Sequence, residues 1–345
     1  MDAEGSRIPK IAALSVVVAL SAAFLLDRAA AWRTEEQLIV HPPFQPPAAA
    51  QRAHALGPLD GVPPALRAAL EDRSAFEPIA KPGSADWLAA QHEAGQTFPQ
   101  FVASRPNRPV GAPSVGRSRS LAGARQVLYL QPLGAFAGTE APPVDVLARF
   151  AEAFFTTPVK ALPQKEVEGL GVTDRINRDT RVRQLLTADL LRFLRERIPA
   201  DAFAVLGLTV EDLYPGPTWN YVFGQASLTD RVGIYSFARY APTTSGKPAP
   251  AQLILLRGCK VLAHEGSHMF GLEHCIYYRC LMNGSNHLGE LDARPLHLCP
   301  VCLRKLQWSA GFDVQDRYQR LAAVVRELGF EDEEAWLAAR VPAGR

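Results

Sequence analysis

The 345-residue sequence predicts one α/β domain with a mixed, mostly parallel sheet and one long helix, preceded by an N-terminal extension. Three observations carry this. From residue 125 onward, strand-like apolar runs alternate with segments of helical apolar spacing, the order that lays helices on a largely parallel sheet. Residues 203–210 are a nearly continuous apolar run, as expected of a central strand covered on both faces. Residues 252–270 read as one helix carrying His264 and His268 on the same face.

The chain divides into three stretches. In residues 1–31, charged Arg7 and Lys10 precede an apolar run from 11 to 26 broken only by Ser15 and Ser21. Asp27-Arg28 ends the run, and Ala29-Ala30-Ala31 supplies small residues of the cleavage-site type. A spanning helix needs about 20 residues, so this run fits a signal peptide or a membrane anchor. Asp2 and Glu4 remove net positive charge from its start, and a buried helix of a soluble domain is the competing reading. The expected location is exported or membrane-anchored, with membrane association through this segment and cytoplasmic as the alternative.

Residues 32–124 form a proline-rich extension. His41-Pro-Pro-Phe-Gln-Pro-Pro47 has too many prolines for a regular element, since each lacks a backbone donor. It suits a tether or a surface-hugging arm. Short helices are expected at 66–76, 86–92 and 98–102, and a Pro/Gly/Ser/Arg-rich loop at 104–124.

Residues 125–345 hold the domain, a size that suits a single core. Residues 126–132 alternate and are rich in Val, Leu and Tyr, which predicts a strand. Residues 144–155 have helical apolar spacing, and 159–167 suggest another strand. A helix over 187–198 begins at Thr187-Ala-Asp-Leu, which offers a cap. Residues 221–228 and 232–238 predict a strand pair with Asp230 at the turn. Residues 314–328 read as a C-terminal helix covering the core.

Chemistry concentrates in His264-Glu265-Gly266-Ser267-His268-Met269-Phe270-Gly271-Leu272-Glu273-His274. His264 and His268, four residues apart on a helix, can share one metal ion. Gly271 allows the sharp turn that brings His274 in as a third nitrogen. Three protein ligands leave a tetrahedral zinc one open position, which separates a catalytic from a structural site. Glu265 follows the first ligand and can take a proton from water at that position. With 8 histidines in the chain, the short HExxH pattern arises by chance in roughly one such sequence in a hundred. Adding the glycine and the third histidine lowers that to roughly one in a hundred thousand.

All 5 cysteines fall between Cys259 and Cys302. Cys275, Cys280, Cys299 and Cys302 suit a four-thiolate zinc site, which is closed and therefore structural. Two disulfides are the competing reading, open to an exported chain. Cys259 reads as a small buried residue.

His264 to Cys275, Cys280-Leu281-Met282 and Cys299-Pro-Val-Cys302 together resemble the archaemetzincins, a branch of the metzincin zinc peptidases with a second, cysteine-bound zinc. Residues 128–134, 212–215, 223–230 and 283–287 resemble the same family, and the likeness covers roughly 76–328. The resemblance implies a metzincin-like peptidase domain whose small C-terminal part is stapled by a second zinc. It assigns His264, His268 and His274 to the catalytic zinc, and Cys275, Cys280, Cys299 and Cys302 to a structural one. Glu265 would be general base and acid, and Met282 would form a methionine turn beneath the histidines. It nominates Phe223, Gly224, Gln225 and Ala226 as an edge strand that pairs with extended substrate; an ordinary buried strand is the alternative. Gly266-Ser267 departs from relatives, which often carry a bulky apolar residue and then glycine. Glycine costs roughly 1 kcal/mol against alanine in a helix, so a looser helix is expected there.

The expected function is zinc-dependent hydrolysis of peptide bonds, aminopeptidase-like by resemblance, with peptide or protein substrates. A formal net charge of +2 gives no field for nucleic acid. A zinc-ribbon interaction protein would leave the histidines unexplained, and a catalytically silent zinc-binding scaffold would keep every ligand. Tyr277 and Tyr278 follow the third ligand, where a phenol could hold an oxyanion but packing is the plainer role. His287 and His297, among the cysteines, are expected beside the metal site or on the surface. No feature sets an oligomeric state.

Overall fold

The computed structural model describes residues 42–104, 106–107, 125–137, 141–241 and 247–341. The expected signal or anchor at 1–31 lies outside them, as does nearly all of the loop expected at 104–124. Among the described residues no helix is long and apolar enough to cross a membrane.

Eight strands are present among the described residues: β1 (Val127–Leu133), β2 (Val159–Ala161), β3 (Asp174–Ile176), β4 (Arg183–Leu186), β5 (Ala202–Thr209), β6 (Asp212–Tyr214), β7 (Gly224–Ala226) and β8 (Val232–Ser236). Five form the main sheet in the order β2-β1-β5-β8-β7. Every pairing in it is parallel except β7 on β8. The mixed, mostly parallel sheet is therefore observed, with its one antiparallel strand at an edge.

The two central strands are buried along their whole length, because helices cover both faces. Successive side chains go to opposite sides. Leu128, Leu130, Phe203 and Leu206 enter the large core under the helices Val144–Phe155 and Ala251–Met269. Tyr129, Leu133 and Val205 enter a smaller core against the helix Thr187–Arg195. The helix Val314–Glu327 closes the large core, followed by a further helix, Glu331–Ala338, that the sequence did not suggest; Arg317 donates to the Phe154 carbonyl at 2.8 Å.

Several expectations need correction. The strand expected over 159–167 stops at Ala161, with one further bridge from Lys165 to Leu133. Thr187 is the first residue of its helix rather than its cap; its hydroxyl serves Tyr214 and Gln225, and Asp189 accepts from the Thr173 amide. β3, β4 and β6 make a second sheet that was not expected. Their three or four residues are too short and too polar to show a period.

The boundary expected after residue 124 falls inside one compact unit, Phe44–Arg345. Ala55, Leu66, Leu70, Leu88 and Phe101 from the N-terminal stretch share the large core with Leu303 and Leu306. Arg304, on the helix Pro300–Ala310, donates to the carbonyls of Leu56 and Pro58.

The helix Ala251–Met269 runs unbroken through Gly266, so the expected loosening is absent. A Cβ at Gly266 would lie 2.4 Å from Cζ of Phe155. That ring is fully buried and stacked on Phe270 at 5.2 Å, so it has nowhere to swing. Gly266→Ala should therefore destabilise the protein by about 1–3 kcal/mol, overpacking outweighing the better helix propensity of alanine. Urea unfolding reads this; unchanged or raised stability would show that the ring yields.

Candidate active site

The site forms where the long helix passes edge strand β7. The helix Ala251–Met269 carries His264, Glu265 and His268. It ends where Gly271 turns at φ +88, a backbone conformation that side chains resist. A Cβ there would also meet Cβ of Pro106 at 2.4 Å. The reversal returns His274 to the helix, as the sequence predicted, with its ring 5.1 Å from those of both His264 and His268.

The three imidazoles present one nitrogen each to a common point, all within 4.8 Å of one another. Nε2 of His264 and Nε2 of His268 are 3.1 Å apart; tetrahedral zinc at its usual bond length sets two such nitrogens about 3.3 Å apart. The other ring nitrogen of each histidine is directed elsewhere. Nδ1 of His264 donates to the Leu281 carbonyl at 2.9 Å, and Nδ1 of His268 to the Leu272 carbonyl at 2.6 Å. Nδ1 of His274 donates to the Glu93 carboxylate at 2.6 Å. Such bonds fix the tautomer that leaves Nε2 free as a metal ligand. Burial, then the Arg294 charge and the neighbouring imidazoles, hold His264 far below the usual histidine range. Burial likewise pushes His268 down to about 3, so neither ring carries a competing proton.

Glu265 projects beside the histidines. Burial raises its carboxyl to about 8, against the opposing pull of Arg294. A dication alongside would favour the ionised form. Edge strand β7 approaches so closely that a Cβ on Gly224 would lie 2.7 Å from Oε1 of Glu265. Gly224, Gln225 and Ala226, with Glu265, His268 and His274, line a cleft of about 750 Å³. Phe223 lies just before the strand, its buried ring against Tyr221 and Tyr240.

Cys275, Cys280, Cys299 and Cys302 form the second cluster, all buried, with sulfurs within 4.8 Å of one another. All five cysteines are free in this structure, with no S–S bond among them, as a four-thiolate site requires. Sγ of Cys275 and Sγ of Cys299 are 3.6 Å apart, while a tetrahedral four-thiolate zinc needs about 3.8 Å. Backbone amides of Met282 and Cys299 point at Sγ of Cys280, at 3.5 and 3.2 Å. Against the upward push of burial, hydrogen bonds from the other three thiols hold Cys275 well below its ordinary range. The donor sets thus fit two metals of the zinc type, one open and one closed.

The clusters share backbone. His274 precedes Cys275, and Leu281, whose carbonyl holds His264, sits between Cys280 and Met282. Met282 is fully buried and its carbonyl accepts from the Cys275 amide at 2.8 Å. Asn283 ties the knuckle: its side chain donates to the carbonyls of Cys275 and Tyr278 and accepts from the Cys280 amide.

Remaining polar residues resolve simply. Tyr277 is buried and its phenol is pushed up to about 12 by burial and the nearby thiols. Tyr278 packs edge-on to Phe76, so packing is the role seen for both. His287 pairs with Asp86 and caps the helix Leu288–Ala293. His297 stacks on Trp336 at 3.8 Å and pairs with Glu333. Cys259 is wholly buried, with its thiol pushed up by burial.

Three contributors escaped sequence reasoning. Glu93 orients His274, the Trp87 ring packs edge-on to His274 at 5.1 Å, and Gln96 donates to the Gly271 carbonyl at 3.2 Å. Glu93→Ala should weaken metal binding at the histidines by about 10–100-fold. Zinc titration against a competing chelator reads this; an unchanged dissociation constant would remove Glu93 from the site.

The model of peptidase family M54 matches residues 165–308. Archaemetzincin-2 of Macaca fascicularis is 39% identical over 275 residues, 71% of this chain and 73% of the relative. Archaemetzincin-1 of Mus musculus is 35% identical over 287 residues, 74% of this chain and 55% of the relative. A crystal structure of archaemetzincin from Methanopyrus kandleri aligns at 30% identity and a TM-score of 0.43, covering 55% of this chain and 97% of that one.

Proposed function

Since the chain belongs to the archaemetzincins and is a zinc metallopeptidase, we propose that it cleaves peptide bonds in the cleft beside β7 with Glu265 as the proton-transferring residue. The observation that supports this most strongly is the joint geometry of the histidines. One nitrogen from each of three imidazoles converges while every Nδ1 bonds to an oxygen, and a carboxylate and an open cleft adjoin the same group.

His264, His268 and His274 would hold the catalytic zinc, which when bound supplies a Lewis acid for the scissile carbonyl and lowers the pKa of water. Glu265, held against Gly224, takes the proton of the attacking water and passes it to the departing amine. Among the described residues β7 has no strand on its outer edge, so an extended substrate can add to it through backbone hydrogen bonds. An aminopeptidase-like preference would require one end of the cleft to receive a free amino terminus.

Cys275, Cys280, Cys299 and Cys302 would hold a second zinc with a purely structural task. By tying Cys275 to Cys280 it fixes the two neighbours, His274 and the Leu281 carbonyl, on which the histidine site depends. The test is hydrolysis of a peptide library by zinc-loaded protein, with cut sites read by mass spectrometry. Metal-dependent cleavage supports the reading. A fully zinc-loaded chain inert on every peptide, whatever its length, would favour the silent scaffold instead.

A further inference from the structure

A second cavity of about 240 Å³ adjoins the cleft, lined in part by His264, Glu265 and His274. Trp87 and Trp219, stacked at 6.2 Å, line both spaces. Its lining is part apolar, with Tyr221, Phe223 and Val261, and part polar, with Ser285, Asn286 and Arg294.

Arg294 is only 6% exposed. Its Nη1 donates to the Asn283 carbonyl at 2.6 Å and lies 3.0 Å from Nδ1 of His264. Nε is buried without a hydrogen bond, and Nη2 makes none to the described residues. No carboxylate among the described residues forms an ion pair with it. Oγ of Ser285 is likewise buried and unpartnered. Buried donors without partners are uncommon, and although the Glu265 charge acts on Arg294 it leaves the Nε donor unfilled. The Nε–Nη2 edge is also the side of a guanidinium that receives a carboxylate through two parallel hydrogen bonds. Glu265 lines the same chamber, so net positive charge does not set its preference. The fork of donors does: a side-chain amide would turn its own NH₂ toward one of them.

We propose that this chamber is a specificity subsite that takes the carboxylate side chain of an Asp or Glu residue flanking the scissile bond, held side-on by Arg294 with the Ser285 hydroxyl alongside. The inference rests on the peptidase reading above. It makes Arg294 and Ser285 specificity residues that neither accept nor donate the transferred proton.

The experiment compares matched peptides carrying Glu, Gln or Leu at each position flanking the cleaved bond. At one position kcat/KM should favour Glu over Gln by about tenfold or more, and Ser285→Ala should shrink that ratio. Because Arg294 also supports Asn283, its variant Arg294→Gln is read by binding as well as turnover. Uncleaved peptides are titrated into Glu265→Gln protein, with and without zinc, following tryptophan fluorescence. A Glu preference that persists without zinc and disappears in Arg294→Gln supports the subsite. Equal binding of Glu and Gln peptides overturns it, as does a preference present only with zinc, which would assign the carboxylate to the metal. Cleavage without acidic preference would overturn the subsite alone. Acidic preference in binding without any cleavage would overturn the peptidase reading alone.

Discussion

Glu265→Gln should lower peptide hydrolysis by about 10²–10⁴-fold while zinc content and thermal stability stay at the wild-type level. The substitution keeps the shape that packs beside Gly224 and removes only the ability to accept a proton. Glu265 is buried, so its charged form depends on neighbours: burial raises the carboxyl to about 8, Arg294 opposes that rise, and a bound dication would oppose it further. None of the three histidines can substitute for it. Their Nε2 atoms face the metal position, and their Nδ1 atoms are committed to Leu281, Leu272 and Glu93. Steady-state kinetics with metal analysis on the same preparation reads the result. Full activity in a zinc-replete Glu265→Gln protein would move proton transfer to another group.

The second large effect concerns the cysteines. Cys299→Ser should release one metal and cost stability on the order of several kcal/mol, since structural zinc binding contributes folding free energy directly. Activity should fall with it, although Cys299 is not a ligand of the histidine site. The path is covalent: Cys275 and Cys280 are held by the same cluster, and their neighbours are His274 and the Leu281 that accepts from His264. Calorimetry, metal analysis and kinetics together read this. Lost activity with both zincs retained would contradict the structural role.

Much of this site was legible because its chemistry is local. His264, Glu265, His268, Gly271 and His274 fall within eleven residues, and helical spacing places the first three with no tertiary information. Strand β5 was legible because burial on both faces leaves a nearly continuous apolar run. The rest depends on contacts between distant parts of the chain. Glu93 meets His274 across 181 residues of sequence, and nothing in the local pattern around Glu93 marks it. Gly266 looked like a weak point in the helix because its neighbour Phe155 lies on another element. Arg294 resembles any arginine at a helix end until its burial and its idle Nε are known. The proline run left a tether and a surface-hugging arm equally open for a related reason: only the fold shows that the short helices after it place Ala55, Leu66, Leu70, Leu88 and Phe101 in the common core.

The central claim is that this chain is a two-metal unit, one zinc at the histidines for chemistry and one at the cysteines for shape. Native mass spectrometry of the purified chain tests it most directly by counting ions. The account predicts two zincs on the wild type, with one lost from His268→Ala and the other lost first from Cys299→Ser. A single zinc on the wild type, or a mass showing the cysteines oxidised in pairs, would contradict it.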